Sequence, residues 1–191
     1  MAPFFKHKIL LASQSPRRQQ LIKDSGFEME IVRIDVEEDF DESLVAEQIP
    51  VFLAEKKGKA FTGQLAENEL LVTADTVVWL NDHVLNKPVD LDDAFRMLKN
   101  LSGHKHTVYT GVSVRSAEKQ ISFYEASDVF FNPLSDDMIR YYLENHKPLD
   151  KAGAYGIQEF IGYIGIRKID GCYYNVMGFP VSRFIHEIQH L

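Results

Sequence analysis

Leu10-Leu11-Ala12-Ser13-Gln14-Ser15-Pro16-Arg17-Arg18 carries an apolar strand straight into a helix. Lys8–Ala12 reads as buried strand. Ser15 can cap the helix that follows, and Pro16 suits its first turn because the missing N–H would be unpaired there anyway. A strand feeding directly into a helix is the opening unit of an α/β fold. The same turn has a chemical reading. A helix N-terminus presents unpaired N–H groups and a partial positive charge. Arg17 and Arg18 oppose that dipole, which makes a polyanion, with phosphate the first candidate, the natural partner of this end. The competing reading is a solvated arginine pair on an ordinary helix.

Outward from this turn, strand and helix signals alternate. Pro16–Asp24 is the first helix and Glu28–Asp35 alternates like a second strand. Glu37-Glu38-Asp39-Phe40-Asp41-Glu42 is an acidic loop. Helical spacing of Phe52, Leu53, Lys56, Ala60 and Phe61 predicts a helix from Pro50 to Thr62. Leu70–Leu80 is an apolar, β-branched strand that turns at Asn81-Asp82 into Val84-Leu85. Asp90 can cap a helix over Asp92–Leu101 that closes at Ser102-Gly103. His106–Arg115 and Gln120–Phe131 read as a long hairpin, Ser135–Asn145 as an amphipathic helix, and Pro180–Leu191 as a closing helix. Ala152–Asn175 is Gly-rich and aromatic. The reading is α/β, residues 1–191 as a single domain, with a mixed, twisted central sheet flanked by helices.

Composition bounds the partners. The 191 residues suit one domain, or one with an inserted lobe. With 45% hydrophobic and 26% charged residues the chain is an ordinary globular protein. A net charge of −7 argues against a nucleic-acid polymer as partner, since such binders carry a basic face, but leaves room for a small phosphorylated ligand. Cys172 is the single cysteine, which rules out an intrachain disulfide and suits a reducing compartment. Neither a signal peptide nor an apolar run of membrane-spanning length is evident, so a cytoplasmic protein with no membrane partner is expected.

Three further segments could do chemistry. In Thr73-Ala74-Asp75-Thr76-Val77-Val78, Asp75 interrupts a core strand. An acid there is expensive to bury unless it is paired or bound to a metal, and buried carboxylates mark catalytic sites. The structural alternative is an ion pair with a nearby Lys or Arg. In Leu85-Asn86-Lys87-Pro88, Pro88 holds Lys87 extended, able to reach back toward the strand of Asp75. In Lys151-Ala152-Gly153-Ala154-Tyr155-Gly156-Ile157-Gln158, small residues permit close backbone approach, and Gln158 offers a donor and an acceptor suited to a base edge. The alternative is a tight loop packed on Tyr155. Glu38 is either a solvated charge or a metal ligand beside Asp75, of the carboxylate kind that hard divalent cations prefer. Lys57 shares its helix with Lys56 and Lys59, and spacing does not say which of the three turns inward.

His186-Glu187-Ile188-Gln189-His190 matches the H-E-x-x-H pattern of zinc peptidases. Only Leu191 follows, so the third ligand a catalytic zinc takes would have to come from upstream, and an amphipathic terminal helix is the better reading. His104 and His106 read as hydrogen-bonding residues. No P-loop, G-x-G-x-x-G or G-x-S-x-G pattern is present.

Together these segments resemble the Maf family of nucleoside triphosphate pyrophosphatases. The resemblance runs through L-A-S-x-S-P-R-R at Leu11–Arg18, A-D-T-V-V at Ala74–Val78 and L-x-K-P at Leu85–Pro88. It continues with L-S-G-x-x-H-x-V-x-T-G at Leu101–Gly111, K-A-G-A-Y-G-I-Q at Lys151–Gln158 and N-V-x-G-x-P at Asn175–Pro180. Six motifs in order are far more specific than any one. The fifth is similar to the branch that hydrolyses dTTP and UTP.

That resemblance implies an inosine-triphosphatase-like fold with a cleft between two lobes, and hydrolysis of dTTP and UTP, with modified pyrimidine nucleotides as further candidates, to monophosphate and pyrophosphate. It implies Asp75 as proton acceptor, with Glu38 beside it in catalysis and in binding a divalent cation, Mg or Mn. Ser13, Arg17 and Arg18 would hold the triphosphate, with Lys57 and Lys87 as further catalytic cations. Arg17, Thr76 and Gln158 occupy positions that would set base preference. A homodimer is also implied. Asn86 and Glu159 stand where the pattern has glycine. The alternative from the same resemblance is a non-enzymatic nucleotide-binding regulator of septum formation and cell division.

Overall fold

A computed structural model describes residues 5–189 and 191. Strand β1 (Lys8–Leu11) enters helix α1 (Pro16–Asp24), which leads to β2 (Met29–Ile31). Then come α2 (Gln48–Lys59), β3 (Glu69–Leu80), β4 (His83–Leu85), α3 (Leu91–Leu101), β5 (Lys105–Arg115), β6 (Gln120–Phe131) and α4 (Asp136–His146). A 3-10 turn at Ala152–Ala154 precedes α5 (Phe160–Gly165), β7 (Ile166–Asp170), α6 (Tyr173–Met177) and α7 (Val181–Ile188). Hydrogen-bonded strand neighbours run β2-β1-β3-β5-β6-β7, with β4 beside β3. The sheet is mixed. β1 pairs parallel with β2 and β3, while β3–β4 and β6–β7 are antiparallel. The expected α/β class with a mixed sheet and flanking helices is what the chain adopts.

Two compact units divide the chain. One comprises Met1–Asp75, Thr110–Glu125 and Gly178–Leu191, the other Thr76–Tyr109 and Ala126–Met177. In the first, β1 crosses over through α1 to parallel β2, and Ile9, Leu11, Leu70 and Val72 are almost wholly buried. Phe184 of α7 lies edge-on to Phe27 and Phe179, closing this core with aromatic packing. Helix α2 comes so close to β5 that a Cβ on Gly111 would stand 2.3 Å from the Pro50 carbonyl carbon. Only glycine fits there.

The second unit packs Val78 and Leu80 of β3 with Leu98, Leu101, Phe131, Ile139, Tyr142, Tyr155 and Ile157 in one core. The turn between β3 and β4 has Asn81 and Asp82 at φ 49° and 62°. Two successive left-handed residues between paired Leu80 and His83 are the two-residue hairpin that Asn-Asp predicts.

Two expectations are corrected, and one strand is added. The second strand ends at Ile31 rather than Asp35, because β1 offers partners only as far as Leu11, which accepts the Val32 N–H. Helix α2 begins two residues earlier than Pro50 and ends at Lys59, short of Thr62. The Gly-rich segment contains β7, an edge strand blunted by Arg167 and Lys168. No helix among the described residues is long and apolar enough to cross a membrane.

Candidate active site

Helix α1 fixes the first part of the site. Ser15 caps it, its Oγ accepting from Arg18 N, as the Ser-Pro pair predicts. Ser13 lies two residues before that cap. Its Oγ accepts 2.8 Å from Arg18 Nη1 and 3.2 Å from Ser15 N, so it orients the arginine. Arg18 Nε donates to the Gly178 carbonyl at 3.0 Å. The guanidinium is thereby held by two elements far apart in sequence, with only 8% of the residue exposed. Burial lowers its pKa to about 10, partly offset by Asp75 and Glu38, so it stays charged at neutral pH. Arg17, half-buried, faces it as a like charge.

Helix α2 and strand β3 supply the centre. Lys57 Nζ lies 2.7 Å from Asp75 Oδ1 and 2.8 Å from Glu38 Oε1, one ammonium bridging two carboxylates. Lys56 turns the other way, to Asp39. The structure thus selects Lys57 from its neighbours and Glu38 from the acidic loop. Asp75 sits within β3, its side chain 14% exposed. Burial pushes its carboxyl above the ordinary range, and Glu38 adds to this, while Lys57 and Arg18 pull it back. Sequence reading passed over Thr73, whose buried Oγ donates 2.6 Å to the Ala54 carbonyl. That bond ties β3 to α2 one turn before Lys57 and sets the ammonium against Asp75. A buried hydroxyl in an otherwise apolar strand was its signal.

Ser13, Arg17, Arg18, Glu38, Lys57 and Asp75 all belong to the first unit. Thr76, Lys87 and Gln158 belong to the second. Thr76 follows Asp75 on β3 and points to the opposite face. Lys87 is exposed, just after Asn86, whose carbonyl accepts from Gly153 N at 3.2 Å. Gln158 Oε1 is buried and has no hydrogen-bond partner. Glu159 turns to Tyr142 and Lys151.

The donor set suits a hard divalent cation. Among the described residues no group of three His, Cys, Asp or Glu could hold a metal; Asp75 and Glu38, joined through Lys57, are a pair that could supply two oxygen ligands. That is the usual way magnesium is held beside a polyphosphate, with phosphate and water oxygens completing the shell. The H-E-x-x-H pattern is described only in part. Glu187 is paired with Arg183 at 3.3 Å, and His190 lies outside the described residues.

A profile of the family described as Maf-like protein matches residues 8–191. This chain is a member of the Maf family. The Maf relatives include a dTTP/UTP pyrophosphatase of Parabacteroides distasonis, 46% identical over 97% of this chain and 96% of the relative. That of Bacteroides thetaiotaomicron is 44% identical over 97% of each chain. That of Cytophaga hutchinsonii is 47% identical over 96% of this chain and 84% of the relative. The Staphylococcus aureus Ham1 protein shares the fold, with a TM-score of 0.51 at 15% identity over 96% of this Maf chain and 98% of that one.

Proposed function

We propose that the chain is a nucleoside triphosphate pyrophosphatase that cleaves dTTP and UTP to the monophosphate and pyrophosphate. One observation carries the chemistry: a partly buried aspartate paired with Lys57 and lying in the field of Arg18. A protein that only binds nucleotide has no need of two carboxylates beside phosphate, where they repel it. The full-length relatives named as dTTP/UTP pyrophosphatases support the same reading.

A triphosphate carries about four negative charges, so a nucleophile needs that charge neutralised before it can approach. Arg18, fixed in direction by Ser13 and Gly178, and Arg17, Lys57 and Lys87 supply cations. Asp75 takes a proton from water as the water oxygen bonds to the α-phosphorus. The bond from that phosphorus to the bridging oxygen breaks, and pyrophosphate leaves. A divalent cation held by Asp75 and Glu38 supplies Lewis-acid neutralisation of the phosphates when bound.

Base preference is assigned to Gln158, with Thr76 and Arg17 as secondary determinants. Its buried Oε1 needs an N–H donor, and the imide N3–H of thymine and uracil provides one. Cytosine presents a bare ring nitrogen at that position. Thymidine and uridine nucleotides, modified forms included, share the imide.

The test is a panel of nucleoside triphosphates with magnesium or manganese, scored for pyrophosphate against orthophosphate. Pyrophosphate from dTTP and UTP, lost on chelation, is expected. Asp75→Asn should slow release by about 10²–10⁴-fold, the range for a general base. Tight nucleotide binding without turnover would instead favour a regulatory binder, and orthophosphate as product would rule out attack at the α-phosphorus.

A further inference from the structure

Gln158 sits in a short excursion of the chain that is closed twice. Glu159 N donates to the Gly156 carbonyl at 3.0 Å, bringing the ends of the Gly156-Ile157-Gln158-Glu159 turn together. The second closure is made by side chains. The Tyr142 hydroxyl of α4 donates to Glu159 Oε2 and accepts from Gly156 N at 3.0 Å. One phenol oxygen therefore grips both ends of the turn. Tyr142 is fully buried and its ring stacks on His146 at 5.0 Å, so the grip comes from a fixed point. The other Glu159 oxygen lies 3.2 Å from Lys151 Nζ, at the start of the same segment. The carboxylate is packed so closely on Gly156 that a Cβ there would stand 2.7 Å from Glu159 Cδ. Burial and the Glu159 charge push the Tyr142 phenol well above its ordinary range, so it remains a donor at any working pH.

Against this fixed frame stands an unmet need. Gln158 Oε1 is buried without a partner, and such an acceptor costs about 1–3 kcal/mol. A mobile turn would swing the amide out to water. We propose that Tyr142 and Glu159 are positioning residues that hold the Gln158 carbonyl ready for the imide N–H of the pyrimidine base. This rests on Gln158 being the base reader. Neither Tyr142 nor Glu159 touches substrate. Their effect falls on discrimination between bases and not on bond breaking.

The experiment measures kcat and KM for dTTP and dCTP on the full chain carrying Tyr142→Phe, Glu159→Ala, Glu159→Gln or Gln158→Ala. Gln158→Ala should lower the dTTP/dCTP ratio of kcat/KM. Tyr142→Phe and Glu159→Ala should lower that ratio by about 3–10-fold, the worth of one hydrogen bond. The change should come through the KM for dTTP, with dCTP turnover little altered. Glu159→Gln, which keeps an acceptor for Tyr142, should restore most of the ratio. A ratio lowered by Gln158→Ala but unmoved by Tyr142→Phe overturns the positioning role and leaves Gln158 as reader. A ratio unmoved by Gln158→Ala overturns both. Should Glu159→Ala fail to fold, Tyr142→Phe, which removes one oxygen, still decides.

Discussion

Lys57 is the residue on which the candidate site turns. Its ammonium lies between two carboxylates that would otherwise face each other across a partly dry space. Lys57→Met should cost about 1–3 kcal/mol in urea denaturation, less than a fully buried pair because Glu38 is 45% exposed. It should also abolish most pyrophosphate release. Lys56→Met removes only a surface pair and should stay within about 0.5 kcal/mol with activity intact. Equal losses in the two variants would mean that the helix, not the bridging ammonium, is what matters.

At the scale of elements, the register between α2 and β3 decides where Lys57 lands. Thr73 fixes it through the Ala54 carbonyl, and Gly111 permits it by letting β5 approach Pro50 without a side chain between them. Thr73→Val keeps the shape and removes the donor, leaving a buried carbonyl underbonded. It should lower stability by about 1 kcal/mol and reduce kcat several-fold with KM nearly unchanged. A fall in KM-linked binding alone would place the effect at substrate contact and not at Lys57. Much of this level was readable in advance. The Ser-Pro start of α1, the Asp90 cap of α3 and the Asn81-Asp82 turn are local instructions, carried within four residues by backbone preference. The short β2 and the edge strand β7 were not, because a strand exists only as far as its neighbour offers partners.

Stability of the molecule as a whole should respond to pH through His106. The ring is buried, its Nε2 2.7 Å from the Tyr155 hydroxyl and its Nδ1 without a partner. Burial lowers its pKa from 6.5 to about 3, with Asp128 opposing weakly. The folded chain keeps the ring neutral while the unfolded chain takes up a proton below pH 6.5. Stability is therefore fully present above that pH and is lost as pH falls toward 3. Between pH 6.5 and 5 the loss should be about 2 kcal/mol, read as a falling urea midpoint. His106→Gln should flatten that slope. An unchanged slope would assign the acid sensitivity to the carboxylates paired in the fold, Asp128 with Lys105 among them.

The sequence by itself determined the α/β class, the strand-to-helix turn at Ser13–Arg18, and the list of residues from which a phosphate site could be built. These depend on periodicity, caps and residue chemistry, all of which act over a few positions. Only the tertiary structure decided that Lys57 and not Lys56 meets Asp75, that Glu38 completes the bridge, and that Ser13 serves Arg18. It also decided that Glu159 braces its turn through Tyr142. Each of those choices depends on the distance between side chains 5 to 19 residues apart in sequence. Most are set by where a helix or turn packs, which nothing local to the chain specifies.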